Sequence, residues 1–377
     1  VLCVSGLHIS VIGMSLYRFL RKKGVPYASA GVCSTIPLLA FAEMSGFGVS
    51  AKRAVIMFVL MLLANWLGRA YDSLTALALA AFFLLFDNPG LFQYAGFLFS
   101  FFAVFGAVGI GQELIKIVKP EKKWKESVLL SLGIQLMTLP LTRFFYYEIP
   151  IYAMGLNLLL LPMMQVILYS GIVGGVAGLV CLFFGKCLLL PAAAVLIFYE
   201  KVLTFFSGVP YAYVVTGTME RSSIFVYYGI LFVLLFLLKT EKKSNLFLGG
   251  ILILFLILMK PLPKQERIDV LDVGQGDGIY FCTKNHESLF LDGGSSDVSL
   301  VGTYRILPFL KRNGVGKISY WFVSHTDNDH ISGLMEAIDA GYPVEHVVFA
   351  KHGLKEAEGC REFLKKLEEH KIPVLFL

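Results

Sequence analysis

Long apolar stretches separated by short polar segments dominate residues 2–259. Stretches of this length predict helices that cross a membrane, because one crossing needs roughly 20 apolar residues. We predict about ten spans. They occupy residues 2–20, 27–45, 50–69, 73–86, 91–111, 127–145, 151–184, 187–206, 222–238 and 245–259. The segment 151–184 is too long for a simple span. Its Asn157, Pro162 and Gln165 predict a broken or re-entrant element that leads into a helix and is either buried or lines a cavity.

After residue 262 the pattern changes to short β-rich runs that alternate with polar, glycine-containing turns. Apolar runs over 268–273, 289–292 and 318–323 predict strands. The remaining chain predicts an alternation of helices and strands. These are a helix over 332–340, a strand over 345–350, a helix over 354–370 and a strand from residue 373. We therefore predict a membrane domain over residues 1–262 and an α/β domain over 263–377.

Composition excludes an ordinary soluble protein. Hydrophobic residues make up 56% of the 377 residues, charged residues 16%, and the mean hydropathy is +0.71. The net charge of +6 lies largely in short loops, of which 113–126 is the most basic. Basic loops favour the cytoplasmic side. Counting spans from this loop predicts a multi-pass protein of the cell membrane with an extracytoplasmic C-terminal domain.

A cluster of polar side chains follows the strand predicted over 318–323. His325, Asp327, Asp329 and His330 can all bind a metal and lie within six residues. Imidazole and carboxylate groups are the natural ligands of Zn²⁺ or Mn²⁺. Since ligands this close cannot all face one ion, we predict two adjacent divalent ions, which would activate water for attack on a phosphodiester. A solvated polar turn is the alternative interpretation.

The spacing HxDxDH resembles the metallo-β-lactamase motif HxHxDH, with Asp327 in place of the second histidine. The resemblance implies that His325 and Asp327 bind one ion, and that Asp329 and His330 bind the second. It also implies a supporting role at the catalytic centre for Asp292, beside the metal ligand Asp329. The carboxylate at residue 327 favours a harder ion, so Mn²⁺ competes with Zn²⁺.

The order DVGQGD, LDGG and HxDxDH resembles the hydrolase domain of ComEC-type DNA-uptake proteins. The expected fold is a polytopic α-helical membrane bundle followed by a truncated αβ/βα metallo-β-lactamase-like domain. We expect that domain to be incomplete at its C-terminus, with further ligands beyond residue 377. Asp272, Gln275 and Asp277 lie in glycine-flanked turns that either reach the site or cap the turns.

The membrane region resembles the ComEC competence domain through ordered fragments that include SGLHI over 5–9, RAVIM over 53–57 and FLFSF over 97–101. The resemblance implies DNA uptake in natural transformation, in which a membrane channel passes one DNA strand and an outer nuclease degrades the other strand of the duplex. Further DNA-uptake proteins are expected partners. No GxxxxGK[ST] motif occurs, so an ATP-driven motor would be a separate protein.

Five polar residues are candidates for lining the DNA pathway, because ionisable groups inside a bilayer are costly and usually face protein or water. They are His8, Glu43, Lys52, Arg53 and Arg143. His8 also fits a helix–helix hydrogen bond, and Lys52 and Arg53 also fit side chains that extend to the membrane surface. Two other functions stay open. One is a membrane-anchored metallohydrolase for another phosphoester or an envelope substrate, and the other is a transporter with a catalytically silent domain.

Overall fold

The structure is a computed structural model, and it describes residues 6–209, 212–241, 244–260, 262, 265–349 and 358–377. The chain divides into two compact units. The first unit contains Val1–Leu141, Pro150–Ala212 and Phe232–Leu248. The second contains Thr142–Ile149, Tyr213–Leu231 and Gly249–Leu377. The predicted boundary at residue 262 stays a prediction.

Apolar helices form where the sequence predicts spans, except that the helix predicted to end at residue 111 continues to Val118, inside the predicted loop 113–126. They are α1 (Gly6–Lys22), α2 (Tyr27–Met44), α3 (Val49–Trp66), α4 (Ser73–Asp87), α5 (Ala95–Phe105), α6 (Gln112–Val118), α7 (Lys123–Tyr146), α8 (Ala153–Leu160), α9 (Met164–Val180), α10 (Leu182–Ser207), α11 (Arg221–Glu241) and α12 (Ser244–Met259). Within the described residues, six helices are long and apolar enough to cross a membrane. These are Tyr27–Met44, Val49–Trp66, Ala95–Val118, Lys123–Tyr146, Gly155–Val180 and Leu182–Ser207. A polytopic helical region is thus confirmed, and the number of about ten spans stays a prediction.

Glycines allow close helix packing at two places in the first unit. A π-helix over Gly106–Gly111 joins α5 to α6. A Cβ on Gly106 would lie 2.6 Å from the Gly133 carbonyl oxygen on α7, so the two backbones approach too closely for any side chain. In the same way, a Cβ on Gly185 of α10 would lie 2.8 Å from the Gly178 nitrogen of α9.

The segment 151–184 takes the broken form of the two that the sequence predicts. The helix α8 is interrupted by a 3-10 turn over Leu161–Met163 and is followed by the helix α9. Pro162 lies in this turn, where its missing N–H is tolerated. The chain reverses at Cys181, whose extended backbone separates α9 from α10.

The second unit contains the α/β region. β1 (Glu148–Pro150) and β2 (Tyr213–Val215) form a two-stranded sheet. The larger sheet has the order β3 (Arg267–Val270), β4 (Gly278–Cys282), β5 (Ser288–Asp292), β6 (Ile318–Val323), β7 (Val344–Phe349) and β8 (Val374–Phe376). The pairs β3–β4 and β4–β5 are antiparallel, and β5 to β8 are parallel. The helices of this region are α13 (Leu307–Arg312), α14 (Asn328–Asp339) and α15 (Glu358–Glu369).

One face of this sheet carries the core. Phe290, Trp321 and Val347 on the strands and Leu334 and Phe363 on the helices are fully buried in one cluster. The register pairs Leu291 of β5 with Phe322 of β6. Because these strands are parallel, their carboxyl ends meet at one edge of the sheet, where ligands bind in open α/β sheets.

Three elements differ from the sequence expectations. Two elements were not predicted from the sequence: the strand β4, and the helical segment formed by Gly302–Ile306 and α13. The helix predicted to start near Ser332 begins at Asn328, because the Asp327 carbonyl accepts from the backbone N–H groups of His330 at 2.9 Å and Ile331 at 3.2 Å. Asp329 and His330 therefore lie in the first helical turn. Residues 354–357 of the predicted helix 354–370 lie outside the described residues.

Candidate metal centre

Asp292, the last residue of β5, is the buried base of the candidate site. The residue is only 4% exposed and its backbone is left-handed, with a φ of 55°. The indole N–H of Trp321 donates to its carbonyl oxygen at 2.6 Å. Its carboxylate accepts from the Ser324 backbone N–H at 2.8 Å and from the Ser324 hydroxyl at 2.9 Å. These bonds fix the carboxylate at the edge where β5 and β6 end.

The two histidines of the motif lie beside this carboxylate. His330 Nδ1 is 3.1 Å from Asp292 Oδ2. The Ser324 hydroxyl oxygen is 2.9 Å from His325 Nδ1 and 3.4 Å from His330 Nδ1. The imidazole rings are 3.8 Å apart between centroids. With the Nδ1 atoms held in this way, the Nε2 atoms are the free ligand positions, as is usual when the other ring nitrogen bonds to a carboxylate or hydroxyl.

Two overlapping groups of ligand atoms result. His325, Asp329 and His330 form one group, and Asp277, Asp292 and His330 form the other, with the atoms of each group within 4.8 Å of one another. Imidazole nitrogens together with carboxylate oxygens are a suitable donor set for Zn²⁺ or Mn²⁺. The residues present therefore fit one or two divalent ions.

Not every predicted site residue joins these groups. Asp327 is 76% exposed at its side chain, and its Oδ2 lies 3.5 Å from His325 Nε2. Asp272 is 90% exposed and forms a 2.9 Å ion pair with Arg305, which also donates to the Asp272 carbonyl at 2.6 Å. Gln275 stabilises the loop beside the site through its backbone, because its N–H donates to Asp297 Oδ1 at 2.7 Å. The chain thus brings His325, Asp329, His330, Asp292 and Asp277 together and leaves Asp272 outside.

Glycines bring the loops into contact with the first turn of α14. A Cβ on Gly276 would lie 2.6 Å from the Asp329 carbonyl oxygen. A Cβ on Gly294 would collide with the backbone of Asn328 and Asp329, and a Cβ on Gly333 with the Gly293 carbonyl oxygen. Backbone-to-backbone contact of this kind is open only to glycine.

Sequence reasoning missed two supports of the site. Ser324 contacts Asp292 and both histidines, and the signal for it is a hydroxyl directly before the first histidine of the motif. The second support is the turn 295–297, where the Ser295 hydroxyl donates to Asp297 Oδ1 at 2.8 Å. The Gln275 N–H, followed by this hydroxyl, lowers the pKa of Asp297. The SxD spacing is a common turn-capping pattern.

The candidate pathway residues occupy different environments. Arg143 is 4% exposed, and its guanidinium donates to the carbonyl oxygens of Leu258 at 2.7 Å and Lys260 at 2.8 Å. A cation at these positions caps the C-terminus of α12. Arg53 is 6% exposed and donates to the Ser100 carbonyl, while its Nε has no partner within the described residues.

The other three candidates are less buried or less fully described. Lys52 is half-buried, Glu43 is exposed, and the side chain of His8 lies outside the described part of the chain. A pathway role for all five residues stays a prediction.

These features define a membrane protein with many apolar helices and an α/β unit that carries a clustered His–Asp site. The chain belongs to the competence protein family, whose match covers residues 1–241. It is 24% identical to "ComE operon protein 3" of Bacillus subtilis over 94% of this chain and 48% of that relative. It is 27% identical to "Recombination protein 2" of Haemophilus influenzae over 91% of this chain and 48% of that relative. The chain therefore spans about half the length of these curated relatives. No solved structure matches it.

Proposed function

We propose that the protein takes up DNA during natural transformation, with the apolar helices passing one strand across the cell membrane and the α/β unit cleaving the other strand on the outer side. Membership of the competence family supports the uptake role. The single observation that supports cleavage is the convergence of His325, Asp329, His330, Asp277 and Asp292 at one sheet edge. Further DNA-uptake proteins and a separate ATP-driven motor are the proposed partners.

One face of the larger sheet is only partly covered by the described residues, which supports a metallo-β-lactamase-like fold. Along β3, the side chains of Ile268 and Val270 point away from the core and are 67% and 78% exposed. The register places further apolar side chains on the same face. They are Ile279, Phe281, Leu289, Leu291, Tyr320, Phe322 and Leu375. An apolar sheet face needs a second layer to cover it, and a two-layer sandwich would supply one.

In the proposed reaction, the residues at the sheet edge hold the ions and orient the substrate. His325, Asp329 and His330 would hold one ion, and the Asp277 carboxylate offers an oxygen for an adjacent one. Divalent ions would supply a nucleophilic water at neutral pH and neutralise charge on the phosphodiester. Asp292 and Ser324 fix the orientation of the two imidazoles. Asp329 lies in the first turn of α14, close to the backbone N–H groups that favour an anion such as phosphate.

A nuclease assay tests the proposal. The chain, reconstituted in lipid nanodiscs, is given labelled duplex or single-stranded DNA with Mn²⁺, Zn²⁺ or a chelator. We expect metal-dependent cleavage that the double variant His325→Ala/Asp329→Ala lacks. His370→Ala is the matched control, because His370 is exposed and, among the described residues, its ring bonds only to the Lys366 carbonyl of its own helix.

Metal binding without cleavage of either DNA would contradict the nuclease role. It would favour another phosphoester substrate or a silent binding domain. Accessibility of a cysteine introduced at Lys284, an exposed residue in the turn between β4 and β5, to an impermeant reagent on intact cells would test the outer location of the α/β unit.

A further inference from the structure

A cleft in the second unit lies where α11 begins and α12 ends. Its volume is about 660 Å³. Its polar lining includes Glu220, Ser222 and Lys260, and its apolar lining includes Val226, Ile253 and Leu256. The volume is within the usual range for small-molecule sites, about 300–1,000 Å³.

The polar end of the cleft carries one acidic and one basic side chain. The Ser222 hydroxyl donates to Glu220 Oε2 at 3.3 Å. Within the described residues, neither Glu220 nor Lys260 forms an ion pair, and both side chains are exposed. Arg143 also lines the cleft, but carbonyl oxygens take up its guanidinium donors. Beside the buried Arg143 cation, the polar end therefore offers one exposed positive and one exposed negative group to a ligand.

The apolar end continues from this polar end along the two helices. Val226 lies one turn inside the start of α11, and Ile253 and Leu256 lie one to two turns before the end of α12. All three side chains are exposed. In a membrane protein, apolar side chains exposed on a helix face lipid or a protein partner, whereas charged groups at helix ends lie at the membrane surface. The cleft thus has a charged end and an apolar end, which match the headgroup and the acyl chain of a single lipid molecule that lies along the helices.

We propose that this cleft binds a phospholipid with a zwitterionic, primary-amine headgroup, of the phosphatidylethanolamine type. The ammonium group donates to the Glu220 carboxylate. The phosphate accepts from Lys260, the Ser222 hydroxyl keeps its bond to Glu220 Oε2, and one acyl chain lies along Val226, Ile253 and Leu256. The paired charges favour this lipid over an anionic one, because an anionic headgroup lacks a partner for Glu220. The proposal rests on the membrane location of the family and not on the nuclease or channel role.

Native mass spectrometry of the purified chain in detergent tests the proposal. Phosphatidylethanolamine, phosphatidylglycerol and phosphatidylcholine with identical acyl chains are titrated separately. We expect one saturable site that prefers phosphatidylethanolamine. Lys260→Ala should weaken binding of this lipid about tenfold, the effect of one charge-assisted hydrogen bond. Glu220→Gln should remove the preference over phosphatidylglycerol and leave phosphatidylglycerol binding unchanged.

A pair of tryptophan variants tests the acyl path without changing charge. Ile253→Trp fills the cleft and should abolish the saturable site, whereas Leu252→Trp, at an exposed neighbour outside the lining, should retain it. Equal binding by the two variants, equal affinity for phosphatidylglycerol in the unmodified chain, or the absence of a saturable site would each overturn the proposal. These measurements do not depend on nuclease or DNA-uptake activity. The lipid result can therefore be interpreted even if the proposed nuclease or uptake function is wrong.

Discussion

Asp292 gives a prediction in which two substitutions separate charge from backbone conformation. Asp292→Asn keeps a residue that tolerates the left-handed backbone seen at this position, whereas Asp292→Ala does not. Asparagine also keeps one side-chain oxygen for the Ser324 N–H. The second carboxylate oxygen of Asp292, which lies against His330 Nδ1, is however replaced by an amide NH₂ group that can only donate. His330 Nδ1 must then be unprotonated to accept, which moves the ring proton to Nε2, the position available for a metal.

We therefore expect the two variants to differ in how much metal affinity and how much folding stability they lose. Asp292→Asn should reduce Mn²⁺ or Zn²⁺ affinity about 10–100-fold, as loss of a ligand-orienting partner does, and this corresponds to about 1.4–2.8 kcal/mol. Its loss of folding stability should be about 1.5 kcal/mol, for one charge-assisted bond. Asp292→Ala should lose similar metal affinity and about 2–4 kcal/mol of stability, because the Ser324 N–H loses its partner and the left-handed backbone becomes strained.

Manganese affinity is measured on the chain in nanodiscs from the EPR signal of free Mn²⁺. Stability is measured without metal, by hydrogen exchange of the β6 peptide that ends at Ser324. Unchanged Mn²⁺ affinity in Asp292→Asn would refute the orienting role of the carboxylate. Equal loss of stability in the two variants would refute the argument from backbone conformation.

Three further predictions concern the same edge of the sheet. Ser324→Ala should lower Mn²⁺ affinity about tenfold, because both histidines lose a contact, while Ser324→Thr keeps the hydroxyl and most of the affinity, as an EPR titration can show. Gly333→Ala should lower the unfolding temperature and cost about 3 kcal/mol, because its Cβ meets the fixed Gly293 carbonyl, and an unchanged thermal transition would contradict this contact. The lowered pKa of Asp297 means that its stabilising effect is present above the unfolded-state pKa and is lost as pH falls through the folded-state value. Asp297→Asn should therefore flatten the acid side of a stability-against-pH profile, and a profile that keeps its full acid slope would count against the bond from the Gln275 N–H.

Hydropathy and motif order were sufficient to predict the general architecture. Apolar stretches specify membrane helices wherever they occur, because a bilayer requires every backbone polar group to be satisfied within the segment. The apolar segment 318–323, predicted to be a strand, is the strand β6 in the structure. The motif after it was visible as a group of metal-binding side chains because its members are close in sequence.

The partners of that motif required the tertiary structure. Asp292 and His330 are 38 positions apart in the chain, and their contact exists only because β5 and β6 are parallel neighbours whose carboxyl ends meet. Asp272 and Asp277 both lie in one glycine-containing segment of the sequence, but only Asp277 reaches a group of ligand atoms, whereas Asp272 is exposed and pairs with Arg305. Local residue preferences fix which segments form strands and helices. Strand order and backbone packing between distant glycines decide which side chains share a site, since those contacts depend on the position of the whole chain.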